Sequence, residues 1–404
     1  MATDQPLSAR AGEALLRLSA DPDANHTATL AALSDCNWRA LLQSAMEARL
    51  IPIVARAVER SGIRAEPPVD VAAAIASECR WHSLNTLRQQ AAVARLTRTL
   101  DKLGFAPIAL KGVALAHCSY PDPVLRPMRD LDLLLPAEQA EAAQDALLAT
   151  EAYTIHPDLR GTRRTSPEHL PPLQDAVLSV TVEIHHRIGT WGGADALRKS
   201  LVERAGRHRI GGTGVEIPSP ETNLLHLVAG AAIKDRLAIS SLVLADLHYL
   251  ARGTLDWDEV WELAGRTGLR NALALLAGVA ARYDATWMPP ALAEAAERSH
   301  QHIDAAAAAL LQPASVSDRR KIVDRVGRAG ESGGSVRGAL SLALSPEPVQ
   351  LARIVGVAPA SGWRWAGYPI WLVRRVFTYA RAWGEARRMD GEAVKTMRTW
   401  LEQE

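Results

Sequence analysis

Apolar positions recur at helical spacing over most of this chain. In 38–60, WRALLQSAMEARLIPIVARAVER, the residues Leu41, Leu42, Ala45, Leu50, Val54 and Val58 follow one stripe, and Pro52 is expected to split the run into two helices. Ser83 is placed to cap a further helix carrying Leu84, Leu87, Ala91, Ala94, Leu96 and Leu100 and stopping near Gly104. At residue 105 the period changes. FAPIALKG and RDLDLLLP are short apolar runs closed by glycine and by proline, PAEQAEAAQDALLAT reads as a helix, and YTIH as a strand. In AVLSVTVEIHHRI, Val180, Val182 and Ile184 alternate with Thr181, Glu183 and His185, the period of a strand. Residues 105–188 therefore read as a small α/β or α+β unit in an otherwise helical protein, an α+β class overall, with 157–175 as a surface loop able to close over a site.

Helices resume at Ser219-Pro220-Glu221, an N-cap with proline in the first turn. A capping box at Asp256–Glu259 opens another helix that is expected to stop near Gly268. The Ser/Gly/Arg-rich stretch 312–340 reads as a linker. Four regions result: an N-terminal helical segment (1–82), the mixed core (83–215), a helical domain (216–311), and the linker with an amphipathic C-terminal helical region (312–404).

Composition narrows the classes. The 404 residues carry 46 Lys+Arg against 45 Asp+Glu, a net charge of +1 that argues against a protein built to coat nucleic acid. No run approaches the ~18 apolar residues of a membrane span, and MATDQPLSAR has no signal-sequence pattern, so a soluble cytoplasmic protein is expected. Three cysteines without CxxC spacing exclude a disulfide framework and a cysteine zinc site. Only six lysines occur, an arginine bias that, with the abundant alanine, resembles that of a GC-rich bacterial genome. Five of the eleven tryptophans fall after residue 362, in WRWAGYPIWLVRRVFTYARAWGEARR and the final helix. That Trp/Arg stripe either packs on its own protein or touches an anionic membrane surface peripherally.

The chemistry concentrates in the core. Of three D-x-D pairs, Asp21/Asp23 lies in a turn-like DPD and Asp256/Asp258 belongs to a helix cap; only Asp130/Asp132 sits in an apolar strand. Strand alternation puts both carboxylates on one face, where they repel unless a cation joins them. Glu183 lies in another apolar, β-rich strand, with His185 on its face. If the two strands are neighbours, Asp130, Asp132 and Glu183 converge on Mg²⁺ or Mn²⁺, hard ions that take carboxylate oxygens and keep positions for phosphate. Upstream, Lys111-Gly112 ends a strand and opens a helix, a geometry suited to phosphate, and Arg126 and Arg129 precede the acids, there to hold phosphates or merely to neutralise them. His185 and Lys234 are further candidates for contacts to an acceptor or to the carboxylates, with a solvated surface lysine as the alternative for Lys234. His117 and Cys118 read as packing residues, and no Ser/His/Asp order or HExxH supports a hydrolase or a zinc protease.

The run IALKGVALAHCSYPDPVLRPMRDLDLLL followed by VTVEIHHRI resembles the nucleotidyltransferase superfamily of the polymerase-beta-like fold, and within it a bacterial group of uncharacterised nucleotidyltransferases. The likeness extends more loosely to Trp38, Ala45, Arg49 and Pro52 and to LLHLVAGAAIKDR and LADLHYL, covering roughly 35–265. The resemblance implies a nucleotidyltransferase-fold core with a small mixed sheet. It also implies Asp130, Asp132 and Glu183 as metal ligands, Gly112 in the nucleotide turn, and transfer of a nucleoside monophosphate, AMP in the simplest case, from an NTP to a protein, peptide or small-molecule acceptor. Two departures stand out: Lys111-Gly112-Val113 replaces the usual Gly-Ser or Gly-Gly turn, and 17 residues separate Gly112 from Asp130, more than is usual. They favour the alternative of a non-catalytic binding or regulatory module on the same fold, which the retained acidic trio opposes.

Overall fold

A computed structural model describes residues 8–156, 166–237, 240–312, 346, 348–358, 361–377 and 392–401. Most of the expected linker, residues 157–165 of the expected loop and the middle of the C-terminal stripe lie outside these.

The N-terminal segment folds as α1 (Ala9–Ala20), α2 (Thr27–Ala31), α3 (Asp35–Ala48) and α4 (Ile51–Ser61). Ser34 caps α3 through the Asn37 amide. The break expected from Pro52 falls just before it: Arg49 turns left-handed at φ 61°, and the proline sits in the first turn of α4, where its missing N–H is harmless. Helix α5 differs from expectation. It runs unbroken from Val69 to Lys102, so Ser83 caps nothing, and its hydroxyl donates to the Cys79 carbonyl one turn back. Pro68 marks the true start, since no glycine or proline interrupts the following 34 residues. The boundary drawn at 82/83 lies inside this helix.

The sheet has seven strands in the order β3-β4-β5-β2-β1-β7-β6 and is mixed, in keeping with the α+β class. Its members are β1 (Ile108–Ala109), β2 (Asp130–Leu134), β3 (Tyr153–Ile155), β4 (Leu173–Asp175), β5 (Thr181–His185), β6 (Gly206–Ile210) and β7 (Thr213–Ile217). The sheet thus extends past 188, because β7 adds parallel to β1 and carries β6 as a hairpin partner. The surface-loop reading of 157–175 is likewise too simple: 173–175 is a strand, and His169 bridges to His185.

Between the strands lie α6 (Lys111–Cys118), α7 (Ala137–Ala149) and α8 (Ala194–Glu203). Leu131, Leu133, Val182 and Ile184 form one face of the central strands and pack with Leu96 and Leu100 of α5 and Leu147 of α7. Each such side chain, fully withdrawn from water, contributes about 1.5–3 kcal/mol. Leu134, on the acidic face, joins a second core with α9 (Pro220–Ala229), α10 (Leu242–Ala251), α11 (Trp257–Thr267) and α12 (Arg270–Arg282). Ser219 and Asp256 cap α9 and α11 as expected, and Gly268 ends α11 at φ 65°. After α13 (Pro290–Arg298) and α14 (His300–Leu310), the helix Glu392–Leu401 returns to this core through Val394, Met397 and Leu401. Among the described residues, no helix is long and apolar enough to cross a membrane.

Candidate active site

Strand register builds the site. β2 and β5 run parallel and adjacent, pairing Asp130 with Thr181, Asp132 with Glu183 and Leu134 with His185. Alternation then puts Asp130, Asp132, Glu183 and His185 on one face. The ligand atoms of Asp132, Glu183 and His185 lie within 4.8 Å of one another. Asp130, one pleat along, adjoins this group and feels the charge of both Asp132 and Glu183.

The buried Asp132 carboxylate is the hub. Its Oδ1 accepts from His185 Nε2 at 2.7 Å and from Lys111 Nζ at 3.3 Å. His185 Nε2 is also 3.5 Å from Glu183 Oε2. Burial would raise the Asp132 pKa, but Lys111 and the His185 hydrogen bond outweigh it and hold the group well below the usual carboxylate range. Burial would likewise raise Glu183, yet the His185 hydrogen bond keeps it low. For Asp130 burial prevails, reinforced by the charges of Asp132 and Glu183, and its pKa is pushed up to about 6. His185 is driven the other way: burial disfavours the imidazolium, but its bonds to the two carboxylates raise its pKa.

Lys111 reaches the acids through an unusual backbone. Its φ is +43°, left-handed for a residue that is not glycine, at the step where β1 turns into α6. Gly112 follows because a side chain there would collide: an added Cβ would lie 2.8 Å from Met128 Cγ. Gln89 and Asn85 of α5 hold the Met128 carbonyl, at 2.9 and 3.5 Å, fixing the approach to β2.

The remaining expected residues divide. Arg129 is exposed beside Asp130 and makes no hydrogen bond or ion pair among the described residues. Arg126 is turned away into the interior: Nε and Nη2 donate to Asp246 of α10 at 2.6 and 2.9 Å, and Nη1 to the Pro127 carbonyl at 3.1 Å. Tyr120 donates to the same carboxylate at 2.6 Å, so Asp246 holds both side chains. Lys234, in the π-helical turn Gly230–Lys234 that ends α9, is ion-paired with Glu168.

Three neighbours escaped the sequence reading. His169 Nε2 lies 3.8 Å from Glu183 Oε2 and its ring is 5.2 Å from that of His185. His226 of α9 is buried, its Nδ1 without a partner, and burial followed by the charges of Lys111 and His185 drives its pKa down to about 3. Arg49 Nη1 stands 3.5 Å from the Pro127 carbonyl; burial and the charges of Arg126 and Arg129 lower its pKa to about 10, while Asp130 pulls the other way. Arg49 and His226 lie in the parts of the chain covered by the looser family likeness without a role assigned there, and only the suggestion that 157–175 closes over a site pointed toward His169.

Three carboxylates gather here with Lys111 and His185, and Arg49 adds a positive charge near Asp130. Asp132 Oδ1 is occupied but its Oδ2 takes no bond among the described residues, and burial together with the charges of Asp132 and Glu183 raises the Asp130 pKa, which a cation would counter. Asp132, Glu183 and His185 form a group that could hold a metal ion, with the Asp130 carboxylate one pleat away. A mixed sheet carrying such paired carboxylates beside a glycine turn defines the nucleotidyltransferase class. Residues 34–283 match the family described as "Uncharacterised nucleotidyltransferase", and the chain belongs to that family. No curated protein and no solved structure gives a match.

Proposed function

We propose that the protein transfers a nucleoside monophosphate, AMP in the simplest case, from an NTP to an acceptor hydroxyl or other nucleophile. The observation that carries this reading is the β2–β5 register, which sets Asp132 beside Glu183 with Asp130 one pleat away. Asp130, Asp132 and Glu183 would hold Mg²⁺ or Mn²⁺, which when bound screens phosphate charge and stabilises the departing pyrophosphate. The acceptor oxygen forms a bond to the α-phosphorus, the bond to the β-phosphate bridging oxygen breaks, and pyrophosphate leaves with that electron pair. Glu183, partly exposed, would take the acceptor proton. His185 is a positioning residue that orients both carboxylates. Lys111, the Gly112 backbone and exposed Arg129 supply phosphate contacts; Arg126, bound to Asp246, is left out of that set. Lys234 can reach a ligand only by releasing Glu168.

A second reading, a module that binds nucleotide without transferring it, is favoured by one observation: Lys111 and Arg126 are already paired with carboxylates. The two separate in one assay. Protein is incubated with Mg²⁺, α-labelled ATP and a cell extract as acceptor source. Label in an acid-stable product with matching pyrophosphate release, absent from Asp130→Asn/Asp132→Asn, supports transfer. Metal-dependent nucleotide binding without pyrophosphate release supports the module.

A further inference from the structure

Away from the acidic centre, the turn after α1, helix α4, the end of α6, the start of α9 and the end of α10 enclose an open cleft of about 560 Å³. Its charged lining is Asp23, Arg56, Arg60 and Arg252. Arg56 Nη2 and Arg60 Nη1 lie 3.2 and 3.3 Å from Asp23 Oδ1, and Arg252 is bound to Oδ2. Three guanidinium charges therefore meet the Asp23 carboxylate, and with the neighbouring buried Asp21 counted a positive surplus remains. His248 lies 3.4 Å from Asp23 and 3.5 Å from Asp21, and burial lowers its pKa, so it adds little positive charge.

A network that only tied α4 and α10 to this turn would leave nothing over. Here the Arg60 and Arg252 side chains, both lining the cleft, remain 41% and 57% exposed. A second, independent feature points the same way. Tyr249, 4% exposed, lines the cleft, and its hydroxyl is buried with no hydrogen-bond partner among the described residues. The charged groups around that hydroxyl are the same Asp23, Arg56, Arg60 and Arg252. A buried hydroxyl of this kind is normally answered by a partner.

We propose that this cleft binds the phosphate dianion of a phosphorylated small molecule, at a site separate from the acidic centre. Guanidinium forks and a phenol are donor types that suit phosphate oxygens, and the net positive lining favours an anion. The volume lies within the ~300–1,000 Å³ usual for small-molecule sites and exceeds what bare phosphate needs, which favours a monoester. Helix α6 separates the two sites: it begins at Lys111 beside Asp132 and ends at Cys118 on the cleft wall, about 10 Å further along its axis. The inference does not depend on nucleotide transfer.

The test is calorimetric titration of the full-length protein with glycerol 3-phosphate and, separately, inorganic phosphate, in metal-free buffer at about 0.15 M salt. One-to-one binding is expected, weakened about tenfold or more in Arg60→Gln/Arg252→Gln and several-fold in Tyr249→Phe, which keeps the ring. Asp130→Asn/Asp132→Asn should bind as wild type does. Tighter binding of glycerol 3-phosphate identifies a monoester as the ligand, and equal binding identifies the phosphate group alone. With melting curves confirming folded variants, the site is refuted by absence of binding for both probes. Affinity that survives Arg60→Gln/Arg252→Gln, or that is lost instead in the acidic double variant, overturns it equally.

Discussion

At Lys111 two requirements meet: a left-handed backbone at φ +43° and an ammonium 3.3 Å from Asp132. The conformation costs a non-glycine residue about 1–3 kcal/mol, which the surrounding fold must offset. Lys111→Gly should therefore be more stable than Lys111→Ala by about 1 kcal/mol in urea unfolding, although both lose the cation beside the acids. Equal stabilities would mean that the turn is not strained. His226 gives a pH signature. Its folded pKa is near 3 and its unfolded value is 6.5, so between these the unfolded chain binds a proton that the folded chain refuses. Stability contributed this way is fully present above about pH 6.5 and is lost as pH falls toward 3, with a slope of at most about 1.4 kcal/mol per pH unit. His226→Asn should flatten stability-against-pH curves in that window without abolishing the slope, because burial also lowers the pKa of His26, His82 and His117. An unchanged slope would show that His226 is protonated in the fold.

Among the elements, β2 and β5 were the most legible, because period-two alternation sorts Asp130, Asp132, Glu183 and His185 from the leucines and valines without any knowledge of the fold. What the alternation could not give was their pairing, which depends on contacts some fifty residues apart in sequence. The same limit hid the fate of Arg126. Its partner Asp246 lies 120 residues away on α10, so a guanidinium that reads as a phosphate contact is spent fastening the α6–β2 connection to a helix. Removing one partner leaves a buried charge uncompensated, so Asp246→Asn should cost about 3–5 kcal/mol in urea unfolding, and a paired apolar replacement, Arg126→Met/Asp246→Leu, should recover most of it. A loss well under 1 kcal/mol would return Arg126 to the list of residues available to a ligand. Ser83 misled for a local reason: a good capping residue signals a helix start only where the chain before it is not already helical, and α5 begins fourteen residues earlier.

Across the whole molecule the helical layer on the acidic face does two things. It buries Leu134 and the C-terminal end of β2, and it leaves Asp130 and Glu183 partly open to solvent. The chain's far end takes part in this layer, which explains some of the tryptophan clustering: Trp400 packs on His302 with ring centres 5.0 Å apart, and its carbonyl accepts from Asn271. Met397 is fully buried there, so Met397→Ala should cost about 2–5 kcal/mol. Unchanged thermal stability would show that the last helix does not belong to the core. Trp363 and Trp365 remain exposed, and the packing reading does not extend to them. The acids of β2 and β5 are proposed to form a metal-dependent nucleotide site. Calorimetry of ATP, GTP, CTP and UTP with and without Mg²⁺, on wild type and Asp130→Asn/Asp132→Asn, tests it most directly. Binding of at least one nucleotide that requires Mg²⁺ and vanishes in the folded double variant is the expected result; nucleotide binding that needs no metal, or that survives the loss of both aspartates, would contradict it.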